Sequence, residues 1–176
     1  MAGDRRITAG GSLVVNKNFQ KVNAINKYAV ISWTGGVADA ISLTRILKAQ
    51  IKLKELSDKK RPSIKEVANL TAAIAYKNIR QPSTIPFIAG TMIGGLNENN
   101  SFELYSIEPS GSAIKVEDFD ANFSSGMPYI LGMLERDYNK NITTKEGVEL
   151  AIDAIKSSSE RDTASGNGID VFTITK

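Results

Sequence analysis

The 176-residue sequence contains neither cysteine nor histidine. Without cysteine the chain can form no disulfide, no thiolate zinc site and no thiol nucleophile. Without histidine it lacks the Ser-His-Asp and Cys-His catalytic arrangements, imidazole metal ligands and the usual general base near neutral pH. If this protein hydrolyses a substrate, its general base must therefore be an amine or a carboxylate.

Long apolar runs are also missing from the sequence. No run approaches the roughly 20 residues that a membrane-spanning helix needs, and the basic N-terminal residues are not followed by the apolar stretch of a signal peptide. We expect a cytoplasmic protein without membrane contact. The five prolines and 14 glycines are spread along the chain, and the length suits a single domain over residues 1–176.

The net charge is only +3, and basic residues alternate with acidic ones. The densest basic stretch lies at the end of a predicted helix and comprises Lys52, Lys54, Lys59, Lys60 and Arg61. Such a stretch is typical of a solvated helix end, where cations suit the helix dipole. The alternative is a nucleic-acid patch, but no aromatic residues interleave with the cations as a single-strand binder requires. We therefore expect no nucleic-acid partner.

Strand and helix patterns occur in blocks along the chain. Capping boxes at Ser63/Glu66 and Thr143/Glu146 mark two helix starts. Helical spacing of apolar residues predicts helices over residues 37–58, 64–79, 128–137 and from 144 onward. Runs rich in β-branched and aromatic residues predict strands at 12–15 and 21–25, expected to pair with each other, and at 28–34, 87–93, 102–107, 112–116 and 169–174. This order predicts an α/β fold in which helices lie outside two largely antiparallel sheets, a four-layer αββα sandwich.

Six stretches, in this order along the whole chain, resemble the β subunits of the 20S proteasome, most closely the archaeal ones. They lie at residues 3–8, 21–22, 34–40, 93–95, 105–111 and 161–171. The last is the most specific, because Arg-Asp-x-Ala-Ser-Gly before Ile-Asp-Val is close to diagnostic of the family. An α subunit would carry an extra N-terminal helix, and the related bacterial two-component protease subunit lacks this last motif. The resemblance implies the N-terminal-nucleophile hydrolase fold.

The resemblance implies a threonine peptidase that needs no cofactor. In that family the nucleophile is the first residue of the mature chain, a threonine exposed by removal of a propeptide. Its hydroxyl attacks the peptide carbonyl while its own α-amine, often through a water, takes the proton. This chemistry needs neither histidine nor cysteine, as the composition requires.

The resemblance also implies roles for individual residues. By position, Lys21 matches the family's catalytic lysine, Asp4 the carboxylate that pairs with it, and Gly35 the glycine whose N–H stabilises the oxyanion. Taken alone, each of these would be read as an ordinary surface or turn residue. The remaining matches are the polar cluster around the threonine amine at Ser125, Asp162 and Ser165, a nearby basic residue at Arg6, and a specificity pocket lined by Ile7, Trp33 and Val37 that would favour small or slender side chains.

The sequence does not contain the nucleophile itself, because only Met1, Ala2 and Gly3 precede Asp4. We expect that the sequence starts inside the natural second strand, through a misassigned start codon or a shortened chain, and that the first strand is missing. A chain starting at Met1 is expected to fold poorly and to be inactive. Two functions stay open, a threonine endopeptidase and a catalytically silent structural β subunit. A free-standing binding domain has little support.

The resemblance implies partners for either function. The family forms seven-membered β rings that stack on α rings, which is a closed cyclic assembly. A regulatory ATPase would act through the α ring, and unfolded polypeptides would be the substrates.

Overall fold

The computed structural model describes residues 1–175. The strands are β1 (Ala2–Asp4), β2 (Ile7–Ala9), β3 (Leu13–Asn16), β4 (Val22–Ala24), β5 (Ala29–Gly35), β6 (Ala89–Leu96), β7 (Phe102–Ile107), β8 (Ala113–Val116) and β9 (Ile169–Val171). The helices are α1 (Val37–Asp58), α2 (Ile64–Ile79), α3 (Met127–Asp137) and α4 (Thr144–Arg161). In this described part of the chain, no helix is both long enough and apolar enough to cross a membrane.

A five-stranded antiparallel sheet forms the centre of the fold, with the strand order β4-β5-β6-β7-β8. Its register pairs Trp33 with Thr91 and Thr91 with Ile107. Side chains alternate between the two faces of a strand, so one face of β5 and β6 carries Ile31 and Ile93 into a core shared with α1 and α2. This packing forms the first two layers of the fold.

The short strands β1 and β9 form a second antiparallel pair, in which Gly3 lies opposite Asp170. Helix α4 packs on this pair, and α3 packs on α4 through Ile130, Leu134 and Ala154. On its other side β1 approaches the central sheet, because a Cβ on Gly3 would lie 2.8 Å from the side chain of Val22. The layers are therefore α1/α2, the central sheet, β1–β9 and α3/α4, and the predicted αββα arrangement is confirmed.

Both predicted capping boxes are present in the structure. Ser63 accepts a hydrogen bond from the backbone N–H of Glu66, and the Glu66 side chain accepts from the N–H of Ser63. Thr143 and Glu146 make the same reciprocal pair at the start of α4. These bonds satisfy N–H groups that have no partner inside a helix, which explains why the sequence located these two helix starts to the residue.

Two predictions about the strands are wrong. The segments at 12–15 and 21–25 do not pair with each other, since β3 pairs with β2 and β4 pairs with β5. Strand β6 also does not end at Gly94, but continues through Gly95 to Leu96. A Cβ on Gly95 would lie 2.3 Å from the side chain of Ile64 and 2.4 Å from the Tyr28 backbone oxygen. This glycine therefore allows close packing inside the strand and does not stop it.

Helix α1 carries apolar residues on two faces. Leu43, Leu47 and Ile51 are buried against the central sheet and α2. Three further apolar residues, Ile46, Leu53 and Leu56, are exposed and follow at spacings of seven and three, which places them on one side of the helix. We call these three residues the outer α1 stripe.

Candidate active site

Asp4 lies at the end of β1 and is almost fully buried, with 8% of its surface exposed. Its Oδ1 is 2.7 Å from the Nζ of Lys21, in an ion pair whose side chains are only 11% and 19% exposed. Its Oδ2 accepts hydrogen bonds from the backbone N–H groups of Arg6 and Gly166, each at 2.9 Å. Both carboxylate oxygens are therefore occupied, and Asp4 holds Lys21 in one position.

The loop between α4 and β9 lies against the Asp4–Lys21 ion pair, because the N–H of Gly166 in this loop donates to Asp4. Gly166 has a φ of +139°, and a Cβ there would lie 2.5 Å from the Arg6 guanidinium. Only glycine readily takes this conformation with so little room. The Arg6 side chain crosses the loop and donates to the Thr163 backbone oxygen and to the Asn167 side chain. Arg6 therefore fastens this loop to the segment that follows β1.

Asp162 caps the C-terminus of α4 and collects hydrogen bonds from one side of the loop. Its Oδ2 accepts from the hydroxyls of Ser125, at 2.7 Å, and Ser165, at 2.6 Å. Its Oδ1 accepts from the N–H of Ala164 at 3.1 Å. Burial alone raises the pKa of Asp162, but these three hydrogen bonds and the positive charge of Lys21 outweigh burial and hold the pKa below its usual value. Asp162 is therefore an ionised carboxylate at neutral pH.

A cavity of about 1030 Å³ opens between the central sheet and α3/α4. The residues predicted for the site are gathered around it: its lining includes Asp4, Arg6, Ile7, Lys21, Trp33, Gly35, Val37, Ser125 and Ser165. Asp162 is joined to this lining through its hydrogen bonds to the two serines. The structure thus brings a lysine, two carboxylates and two hydroxyls together from the end of β1, the residue before β4, the loop before α3, the end of α4 and the loop that follows it.

Gly35 ends β5 at the edge of the cavity and has a φ of +94°. A Cβ there would lie 2.5 Å from the backbone oxygen of Ile88. Position 35 therefore requires glycine both for its conformation and for its close backbone approach. Helix α1 begins two residues later, at Val37. The N–H of the intervening Gly36 donates to the same Ile88 oxygen at 2.7 Å.

The three residues predicted to line a specificity pocket lie in one apolar cluster. Trp33 is 5% exposed, Ile7 and Val37 pack against it, and the Phe19 ring meets its ring edge to face with 5.4 Å between centroids. Most of the indole is covered by neighbouring residues, so Trp33 is a core residue. Whether these residues select substrate side chains stays a prediction.

Sequence reasoning missed two residues of this site, Ser158 and Asn167. Ser158 lies on α4 and donates a hydrogen bond to Ser165 at 2.9 Å, while Asn167 accepts one from Arg6 at 2.8 Å. A signal for Ser158 existed, because it lies four residues before Asp162 and therefore on the same side of the helix. Asn167 has a φ of +65°, typical of an asparagine between two loop glycines.

The ammonium, carboxylate and hydroxyl groups can hold an amine or orient a water without any imidazole or thiol. A positive charge beside a neutral amine disfavours protonation of that amine, so the amine is available as a base near neutral pH. A partly exposed carboxylate such as Asp162, which accepts two hydroxyl hydrogen bonds, fixes the directions of both hydroxyls. The arrangement therefore suits acyl transfer in which the general base is an amine.

Comparison with known proteins agrees with the fold and with the sequence motifs. The family model described as "Proteasome subunit" matches residues 1–174. The chain is 35% identical to the proteasome subunit beta of Nanoarchaeum equitans over 100% of this chain and 87% of that protein. It is 38% identical to the proteasome subunit beta of Methanothermobacter thermautotrophicus over 99% of this chain and 80% of that protein. The chain belongs to the proteasome β-subunit family.

Proposed function

We propose that this protein is a threonine-type endopeptidase subunit of a 20S proteasome, built as one domain over residues 1–176. The observation that carries the proposal is the Asp4–Lys21 ion pair beside the Ser125–Asp162–Ser165 cluster at one cavity. A structural subunit needs no partly buried ammonium fixed near a carboxylate that accepts hydrogen bonds from two hydroxyls. A buried ion pair adds little stability compared with apolar residues in the same place, so a catalytic role gives a reason for the Asp4–Lys21 pair.

In the proposed reaction, an N-terminal threonine hydroxyl attacks the carbonyl carbon of the peptide bond. The α-amine of the same threonine accepts the hydroxyl proton and later delivers a proton to the leaving amine. Lys21 keeps that α-amine neutral through its nearby charge, and Asp4 keeps Lys21 in place. Ser125, Asp162 and Ser165 orient the amine or its water, and the N–H of Gly35 stabilises the oxyanion. Water then hydrolyses the acyl-enzyme ester.

The proposed assembly is a ring of seven β-type subunits against an α ring, with a regulatory ATPase acting through the α ring on unfolded polypeptides. The outer α1 stripe supports an assembled state, because Leu53 and Leu56 are 66% and 63% exposed. Exposed apolar side chains that share one side of a helix mark a surface for subunit contact more often than an ordinary solvated face.

The second candidate is a catalytically silent β subunit that keeps the ring surfaces while another subunit cuts. The outer α1 stripe, which would contact neighbouring subunits, fits this candidate equally well. The intact mass and N-terminal residue of the subunit, purified from its natural assembly, distinguish the two. A mature chain that begins with threonine supports the peptidase, and a mature chain that begins with any other residue supports the silent subunit.

Peptidase activity of the assembled particle on a fluorogenic peptide tests the role of Lys21. We expect Lys21→Arg to lower kcat by about 10²–10⁴-fold, because the longer, planar guanidinium places its charge differently. This variant keeps a cation beside Asp4, so folding and assembly are preserved. Lys54→Arg is the matched control, since Lys54 pairs with Asp58 on the exposed side of α1. Equal activity in both variants would remove Lys21 from the mechanism.

A further inference from the structure

One buried hydroxyl next to the site has no part in the proposed reaction. Ser158 lies in the last turns of α4 and is 1% exposed. Its neighbour Ser159 bonds back to its own helix, by donating to the Ile155 backbone oxygen at 2.9 Å. Ser158 instead donates across the loop to the hydroxyl of Ser165 at 2.9 Å. A serine or threonine hydroxyl inside a helix can bond back to the carbonyl four residues earlier, as Thr71 and Ser159 do, so the bond of Ser158 across the loop needs a reason.

The direction of each hydrogen bond in this chain is fixed by the carboxylate at its end. Ionised Asp162 can only accept, so Ser165 must donate its single hydroxyl hydrogen to it. The Ser165 oxygen then has only lone pairs left, so Ser158 must be the donor between the two serines. The chain therefore runs in one direction, from Ser158 through Ser165 to Asp162.

The surroundings hold the Ser158 hydroxyl in place. A Cβ on Gly126 would lie 2.0 Å from the Ser158 Oγ and 3.2 Å from the Ser165 Oγ. The backbone before α3 therefore closes directly over both hydroxyls and leaves no room for water between them. The Ser158 backbone oxygen also accepts the N–H of Asp162 at 2.8 Å. Ser158 is thus linked to Asp162 in two ways. Its backbone oxygen accepts the Asp162 N–H directly, and its hydroxyl reaches the Asp162 carboxylate indirectly, by way of the Ser165 hydroxyl.

We propose that Ser158 is a positioning residue of the active site, which acts through Ser165 to orient and strengthen the hydrogen bond that Asp162 receives. The inference rests on the proposed function, in which Asp162 and Ser165 surround the threonine amine. Hydrogen bonds in a chain polarise one another. Donation from Ser158 makes the Ser165 hydroxyl a stronger donor to Asp162 and removes the alternative rotamers in which Ser165 would turn away.

The pKa of Asp162 reports this effect directly. The charge that acts on Asp162 is that of Lys21, just before β4. Asp4 of β1 pairs with Lys21, and Arg6 bonds to the loop after Asp162. None of them changes when a neutral hydroxyl is removed from α4. A change in the pKa of Asp162 on removal of the Ser158 hydroxyl therefore measures the hydrogen-bond chain and not a change of charge.

The test is a carboxyl-carbon NMR titration of Asp162 in the subunit purified from its assembly, wild type against Ser158→Ala. We expect the Asp162 pKa to shift upward in Ser158→Ala, because Ser165 loses its donor. Ser159→Ala is the matched control, with the same substitution one residue along the same helix, and should leave that pKa in place. Ser158→Cys, a weaker donor of similar shape, should give a smaller upward shift. An unchanged Asp162 pKa in both Ser158 variants would overturn the proposal.

Kinetics of the assembled particle separate this inference from the proposed function. We expect Ser158→Ala to lower kcat about three- to tenfold, the range of one hydrogen bond, with KM unchanged and the acid limb of the pH–rate profile moved upward. Ser159→Ala should match wild type. If wild-type particles show no threonine-dependent cleavage while the Asp162 pKa still shifts, the proposed function fails and the hydrogen-bond chain stands. Normal kcat and pH profile in Ser158→Ala would overturn the positioning role.

Discussion

Replacement of Asp4 by asparagine tests the centre of the site as a stability problem. The amide has one oxygen and one NH2 group, whereas the carboxylate now accepts from Lys21 on one side and from the N–H groups of Arg6 and Gly166 on the other. In either amide orientation a donor faces a donor. The lysine ammonium, with 19% of its side chain exposed, also loses its counter-ion.

The cost follows from these two losses. An unsatisfied buried donor costs about 1–3 kcal/mol, and breaking a buried ion pair by removing one partner costs about 3–5 kcal/mol. Because this pair retains some contact with solvent, we expect Asp4→Asn to lower the free energy of unfolding by about 3 kcal/mol. For a domain of this size that corresponds to a fall in Tm of roughly 6–12 °C.

Urea and thermal unfolding of the purified chain measure this change. Asp58→Asn is the matched control, because Asp58 forms an exposed i,i+4 pair with Lys54 and such pairs contribute little. A double variant, Asp4→Asn with Lys21→Met, should recover part of the lost free energy of unfolding. It removes the unpaired lysine ammonium, but one N–H donor at position 4 or next to it still has no acceptor. If Asp4→Asn unfolds at the same urea concentration as Asp58→Asn, the reasoning about Asp4 is wrong.

Two further predictions follow from glycine geometry and from acid titration. Gly35→Ala should lower the free energy of unfolding by about 1–3 kcal/mol, because its φ of +94° strains any other residue. Gly132→Ala, where the added methyl meets no atom within 4 Å inside α3, should be neutral or raise it by up to about 1 kcal/mol. The second prediction concerns Asp162, whose pKa is held below its usual value. Its stabilising contribution is complete above about pH 4 and is lost as the pH falls through the folded-state pKa, so below pH 4 wild type should lose stability more steeply than Asp162→Asn in urea titrations.

The elements with local signals could be predicted from the sequence. The starts of α2 and α4 follow from capping boxes whose partners are three residues apart, and β7 (Phe102–Ile107) follows from its own composition. Strand partners could not be predicted in the same way, because pairing depends on residues distant in the chain. The β2–β3 pair shows this, since β2 lies where no strand was expected.

Helix α1 shows a different limit of sequence reasoning. The spacing of its apolar residues predicts the helix, but Leu43, Leu47 and Ile51 face the core while Leu53 and Leu56 face outward. A helix that must contact neighbours on two sides has no single apolar face. The period of its sequence then identifies the helix but not the side that packs inside its own domain.

The candidate site was found by family motifs and not by general patterns. Asp4, Lys21 and Asp162 are unremarkable residues in isolation, and they meet only because β1, the start of β4 and the end of α4 come together. The role of Ser158 could not be predicted, because its hydroxyl partner, Ser165, lies beyond the helix end in a loop whose path the sequence does not predict. Tertiary contacts of this kind become visible only in the folded chain.

The hydrogen bond from Gly166 to Asp4 joins residues 162 positions apart. During synthesis Asp4 is added to the chain 162 residues before Gly166, its partner in the loop. Contacts of such long sequence separation form slowly and late in folding. A growing chain therefore cannot hold Lys21 and the loop in their final arrangement before the loop after α4 has been made, so any reactivity of this site is delayed until then.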